Sequence, residues 1–324
     1  MTKKATLLTY LHEQGTPQIT IDKLTAFRKL HSDEHRGVTT PQALYLGGTL
    51  NIVLSALLAD KNIILVGDKG CGKNVLAETV ALLLRRPLFE VAGHVLADAA
   101  GLLGEKTLTK GEITFEKGPV VKALEEGGVL VLDEINMMRP ECMAVLHSVL
   151  DKRKRVDVPG YGTVTAHPAF RVVGTMNVGY AGTQELNEAL VDRFVVIHTP
   201  SMTPQEMAQF LQLKAPGLND KFAEQTALIF KDVSLKAKNA EITTKTVTLR
   251  GLIDALDLIK AGIKPQLAFN SCVADKAFDQ FERKVVSDII ATRISEVVNY
   301  GDMFQATPAT ELPSQREAKD RVVS

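Results

Sequence analysis

Residues 67–74 read GDKGCGKN, and the fold turns on that stretch. Glycines at 67, 70 and 72 let the backbone curl until several N–H groups converge, and Lys73 adds a cation. The apolar run NIILVG (62–67) precedes the turn. A helical pattern, KNVLAETVALLLRR (73–86), follows it and stops at Pro87. Strand, glycine-rich turn and helix N-terminus are the setting in which a loop grips the phosphates of a nucleoside triphosphate. The gripping residues here are Gly67, Asp68, Lys69, Gly70, Cys71, Gly72, Lys73, Asn74 and Val75. One of them departs from the usual pattern, since Asn74 stands where Ser or Thr is expected to meet Mg²⁺. An amide oxygen is also a hard ligand, so Asn74 is a candidate metal contact, direct or through water. Cys71, beside a helix N-terminus, is open to two readings, a redox switch or merely a small loop residue.

Further along, VLVLDEIN (129–136) ends a buried strand in two acids. With a phosphate loop upstream, Asp133 is placed to hold Mg²⁺ and Glu134 to orient and deprotonate an attacking water. VVGTMN (172–177) ends another strand in Asn177, which can hydrogen-bond a γ-phosphate or that water. NEALVDRF (187–194) puts Arg193 between a short helix and a strand. Its planar guanidinium suits a phosphoryl transition state, although most arginines are salt-bridge partners. Short apolar runs alternating with helical patterns predict an α/β doubly wound parallel sheet. TLTKGEITF (107–115) reads as a β-hairpin around Lys110-Gly111, and RVDVPGYGTVTAHPAF (155–170) as a second hairpin or a loop.

Around this core the chain divides. Residues 1–40 carry short helical patterns, including a helix in TPQITIDKLTAFRKLHS (16–32) capped near Thr20. Residues 41–200 form the nucleotide-binding α/β domain. From 201 to 305 only helical periodicity remains, as in PQEMAQFLQL, KFAEQTALIFKDVSLKAK, LRGLIDALDLIKAG and DKAFDQFERKVVSDIIATRI. Residues 306–324, rich in Pro, Glu, Lys and Arg, read as a flexible tail. The 324 residues include 38 basic and 38 acidic side chains, which argues mildly against a protein that coats nucleic acid. The run DKRKR (151–155) is the one feature in favour of such a partner. Three scattered cysteines and no C-x-x-C argue against a disulfide framework or zinc site. With no signal peptide and no apolar run long enough to span a bilayer, the expected location is the cytoplasm.

Taken in order, GDKGCGKN, VLVLDEIN, VVGTMN, ALVDRF and VTLRGLIDAL resemble the AAA+ ATPases. The segments FEKGPVVKALEEGGVLVLDEIN and AHPAFRVVGTMNVGYAGTQELNEALVDRF are most similar to the MoxR-like and dynein-related branch, which includes CbbQ- and GvpN-type proteins. The resemblance spans roughly residues 41–300. It implies a P-loop core with a C-terminal all-helical lid, binding ATP and Mg²⁺. It makes Lys73 the Walker A lysine, Asp133 and Glu134 the Walker B pair and Asn177 sensor 1. Arg193 becomes an arginine finger reaching a neighbouring subunit's nucleotide, and Arg250 a sensor 2 on the lid. The two hairpins take the places of the helix-2 and pre-sensor 1 inserts. A homo-oligomeric ring, expected to be a hexamer, would remodel a client protein, in relatives often one with a von Willebrand factor A domain. Val178 follows Asn177 where several relatives carry Pro. Two other functions stay open: a nucleotide-gated binding module with little hydrolysis, and a nucleic-acid-linked motor.

Overall fold

Alternation along buried strands builds the centre of the molecule. Ile63 and Leu65 point to one face of a sheet, and Ile64 and Val66 to the other. All four are buried, so this strand needs a helical layer on each side. The computed structural model describes residues 3–32, 37–41, 44–45, 47–93, 98–109, 112–177 and 186–304, and they divide into two compact units, Met1–Ser201 and Met202–Ser324. The Lys110-Gly111 turn, Val178 and the tail from 306 lie outside the described residues.

The first unit runs α1 (Lys3–Glu13), α2 (Gln18–Leu30), α3 (Thr49–Leu58), β1 (Asn62–Val66), α4 (Lys73–Leu84), β2 (Leu88–Ala92), α5 (Ala99–Leu103), β3 (Gly104–Thr109) and β4 (Glu112–Lys117). It continues with α6 (Pro119–Glu126), β5 (Val129–Asp133), α7 (Pro140–Leu150), β6 (Arg155–Val158), β7 (Gly162–Thr165), β8 (Arg171–Met176), α8 (Glu188–Val191) and β9 (Phe194–His198). Five strands form one parallel sheet in the order β2-β5-β8-β1-β9. Helices α1 to α4 cover one face, where Tyr10, Leu24, Leu54 and Leu76 pack on Ile63, Leu65, Val131 and Val173. On the other face α5, α6 and α7 bring Leu103, Val120 and Leu146 against Ile64, Leu130 and Val172. Each such fully buried aliphatic side chain contributes about 1.5–3 kcal/mol of transfer free energy. The first two helices therefore share the core of the first unit.

One helix start differs from the expectation. α2 begins at Gln18 after Pro17, and Thr20 is buried, its hydroxyl 3.1 Å from that of Ser55 on α3. Thr20 is thus spent on packing α2 against α3 and cannot serve as the cap.

Both hairpins form, β3 with β4 and β6 with β7. The Phe115 and Tyr161 rings stack with centroids 4.8 Å apart. Tyr161 Oη donates to Glu125 of α6 (2.7 Å), and Lys117 lies over the Tyr161 ring. The base of the first hairpin therefore meets the turn of the second, while Leu108 and Ile113, a cross-strand pair further out on the first, are 75% and 73% exposed.

The second unit is helical: α9 (Pro204–Lys214), α10 (Asp220–Lys238), α11 (Leu249–Lys260), α12 (Pro265–Cys272), α13 (Gln280–Arg293) and α14 (Tyr300–Met303). Its own core includes Leu211, Phe222, Leu252, Phe269 and Ile290. The stretch DKAFDQFERK is not all helix. Residues 274–276 make a 3₁₀ turn, and α13 starts only where Asp279 accepts the Glu282 N–H. No helix among the described residues is long and apolar enough to cross a membrane.

Candidate nucleotide site

Parallel strands end together, so the loops after β1, β5 and β8 meet at one edge. The register sets β1 Val66 beside Met176 and β5 Leu132 beside Gly174. Asp133 and Thr175 therefore follow as neighbours, with Glu134 and Asn177 just beyond the strand ends.

The 67–74 turn opens α4. Gly72 sits at φ 88° as N-cap and makes no side-chain cap, leaving the first N–H groups of α4 for a ligand. Lys73 is buried, and its Nζ donates to the carbonyls of Gly67 (2.9 Å) and Asp68 (2.9 Å) and to Asn177 Oδ1 (2.8 Å). Asn177 Nδ2 in turn donates to Glu134 Oε1 at 2.8 Å. One amide thus links the loop cation to the candidate base. Beside it, Asn74 Nδ2 donates to Asp133 Oδ2 at 3.2 Å. The amide's nitrogen, and not its oxygen, faces the carboxylate.

The contacts of three residues were not foreseen. The Thr175 hydroxyl donates to Asp133 Oδ1 and accepts the Glu134 N–H at 3.0 Å. Asn136 Nδ2 donates to the Asn177 carbonyl (3.1 Å), tying the turn after Glu134 to the end of β8. Gly93 N donates to the Asp133 carbonyl, and a Cβ on Gly93 would lie 2.2 Å from the Glu134 oxygen. Thr175 had a legible signal: it is a polar residue inside an apolar strand, two positions before Asn177 and so on the same face. Gly93 had none, because its neighbours come from another strand.

Glu134 itself is left-handed, at φ 51° and ψ 48°. That conformation costs a non-glycine residue about 1–2 kcal/mol. The Thr175 bond and the close approach of Gly93 hold it there. Glu90 on β2 adds negative charge. Its carboxyl is raised above the ordinary range, first by desolvation, then by Asp133 and Glu78. The site is therefore polarised, with the loop cation at one side and carboxylates at the other.

On the β9 side of the loop lies an open depression of about 370 Å³ lined by Val66, Gly67, Asp68, His198, Thr199 and Pro200. Ser201 Oγ donates to Asp68 Oδ2 at 2.7 Å. Cys71 is 3% exposed, with Sγ 3.6 Å from Lys73 Nζ. Burial pushes its thiol up, outweighing Lys73, which fits a packed loop residue better than a redox switch.

The remaining candidates lie elsewhere. Arg193 directly precedes β9, whose register pairs Phe194 with Asn62 and His198 with Val66. Five strand steps separate Arg193 from His198, which is level with Val66, and place it roughly 17 Å from the strand end that leads into its own loop, toward the opposite end of the strands. It is half-buried, and Nη1 donates to the Ala189 carbonyl. Arg250 is exposed in the first turn of α11, in the second unit. The DKRKR run does not form one basic face, for Lys154 turns inward onto Asp60 at 2.5 Å.

Residues 62–194 match the family described as "AAA domain (dynein-related subfamily)". The chain is 36% identical over 242 residues to the uncharacterized protein YojN of Bacillus subtilis, covering 73% of this chain and 79% of that one. An uncharacterized protein of Staphylococcus saprophyticus is 35% identical over 247 residues, covering 74% and 93%. The chain belongs to the AAA proteins of the dynein-related subfamily. Among solved structures, a candidate ATPase of Cytophaga hutchinsonii aligns at TM-score 0.46 and 19% identity, covering 87% of this chain and 98% of that one. The Thermotoga maritima RuvB Holliday junction branch migration motor aligns at 0.42 and 17%, covering 79% and 70%.

Proposed function

We propose that this chain is a MoxR-like, ring-forming ATPase that couples ATP hydrolysis to remodelling a partner protein. The observation that carries the reading is the run Lys73–Asn177–Glu134, with Asp133 alongside. A phosphate cation, a polar relay and a base held together by direct hydrogen bonds suit hydrolysis of a phosphoanhydride. Lys73 and the first turn of α4 bind the phosphates. Glu134 takes the proton of the attacking water, and Asn177 orients that water or the γ-phosphate.

Mg²⁺ fits the donors present. Each Asp133 oxygen accepts one hydrogen bond and keeps a lone pair. No three His, Cys, Asp or Glu side chains converge among the described residues, so phosphate oxygens and water would complete the shell. Bound there, Mg²⁺ would draw charge from the phosphate oxygens. Asn74 then acts on the metal through Asp133; direct ligation requires its amide to turn over.

Arg193 stands at the strand end remote from its own loop, and we assign it to a neighbouring copy's nucleotide, as in a ring that is expected to be a hexamer. Arg250 is assigned to the γ-phosphate, and the client to a protein with a von Willebrand factor A domain. The cytoplasm is the proposed location. Phosphate release with Mg²⁺, followed across protein concentration, tests the reading. Activity rising with concentration supports it, and no release above a Glu134→Gln control rejects hydrolysis. One observation favours the nucleotide-gated module instead: the Asn74 amide, in place of a hydroxyl, on Asp133. Tight nucleotide binding without phosphate release would select it.

A further inference from the structure

We propose that Thr175 is a positioning residue that sets both site carboxylates, and that it acts through its hydroxyl. The inference rests on the hydrolase reading above. Thr175 is fully buried on β8. Its single hydroxyl hydrogen is committed to Asp133 Oδ1, and its oxygen accepts the backbone N–H of Glu134. Asp133 cannot rotate without giving up that donor. Glu134 cannot relax from φ 51° without giving up that acceptor.

One group therefore fixes two quantities at once. It orients the carboxylate that would meet Mg²⁺, and it holds the strained turn that aims the base. The remaining Asp133 oxygen carries only the longer bond from Asn74, at 3.2 Å, so Asn74 cannot substitute for it. Ligands of this kind depend on outer partners for orientation. The flanking residues Gly174 and Met176 have no side-chain hydroxyl or amide to offer instead.

The test uses the full chain with Thr175→Val, which keeps the shape, and Thr175→Ser, which keeps the hydroxyl. Melting temperature, binding of a fluorescent ATP analogue in EDTA, Mn²⁺ binding with ADP by electron paramagnetic resonance, and kcat are read for each. The Val variant is expected to lose about 10- to 100-fold in Mn²⁺ affinity and in kcat, and to bind the analogue in EDTA within about twofold of the parent. The Ser variant is expected within about threefold of the parent throughout. If the Val variant does not fold, Thr175→Ala takes its place with the same expectations. A folded Val or Ala variant with parental Mn²⁺ affinity overturns the proposal, as does a Ser variant as impaired as Val. A parent chain that neither binds the analogue nor releases phosphate overturns the hydrolase reading, and the Thr175 role with it.

Discussion

Glu134 has the geometry of a base. It is strained, hydrogen-bonded to Asn177 and within one residue of the candidate metal ligand. Replacing it with Gln should lower kcat by about 10²–10⁴ while nucleotide binding persists, as equilibrium binding beside phosphate release will show. Asn74 makes a different prediction. A hydroxyl at that position can donate to Asp133 and still offer its oxygen to Mg²⁺. Asn74→Ser should therefore lower the Mg²⁺ needed for half-maximal activity, on the order of tenfold, in a magnesium titration. Cys71 should resist thiol reagents at neutral pH. Its raised folded-state pKa keeps it protonated there, and labelling should quicken only as pH rises into the alkaline range or the protein unfolds.

At the scale of elements, the junction between the ends of β2 and β5 depends on contact between strands. Gly93 closes on the backbone of Asp133 and Glu134 so tightly that a methyl group has no room. Gly93→Ala should cost about 1–3 kcal/mol in denaturant melts and lower kcat further by shifting Glu134. Most elements were legible because their patterns are clean: IILV (63–66) and VLVL (129–132) are apolar throughout, and α11 shows a sharp helical stripe. α12 was not, since eight residues behind Pro265 carry too little periodicity. The candidate site was legible in its four motif residues: Asp133, Glu134 and Asn177 end or follow a strand, and Lys73 opens the helix after the glycine-rich turn. Thr175 and Gly93 needed the register between strands, which no single segment records. Strand order likewise depends on where the crossovers pack.

For the whole molecule the question is assembly. Arg193 sits at the end of the strands opposite its own loop, so under the proposed reading a neighbouring copy supplies this charge at the phosphates. Arg193→Ala should lower kcat by about a thousandfold or more, leave nucleotide affinity nearly unchanged, and abolish the rise of specific activity with protein concentration. Steady-state assays from dilute to concentrated protein, beside sedimentation, will read both effects. The stack of Phe115 on Tyr161 has a mechanical side as well. Two arms rooted in separate strands ordinarily swing on their own. Fastened ring to ring, they tilt together, so a tug at Leu108 is shared between Lys117, on the way into α6, and β7, on the way to β8 and Asn177.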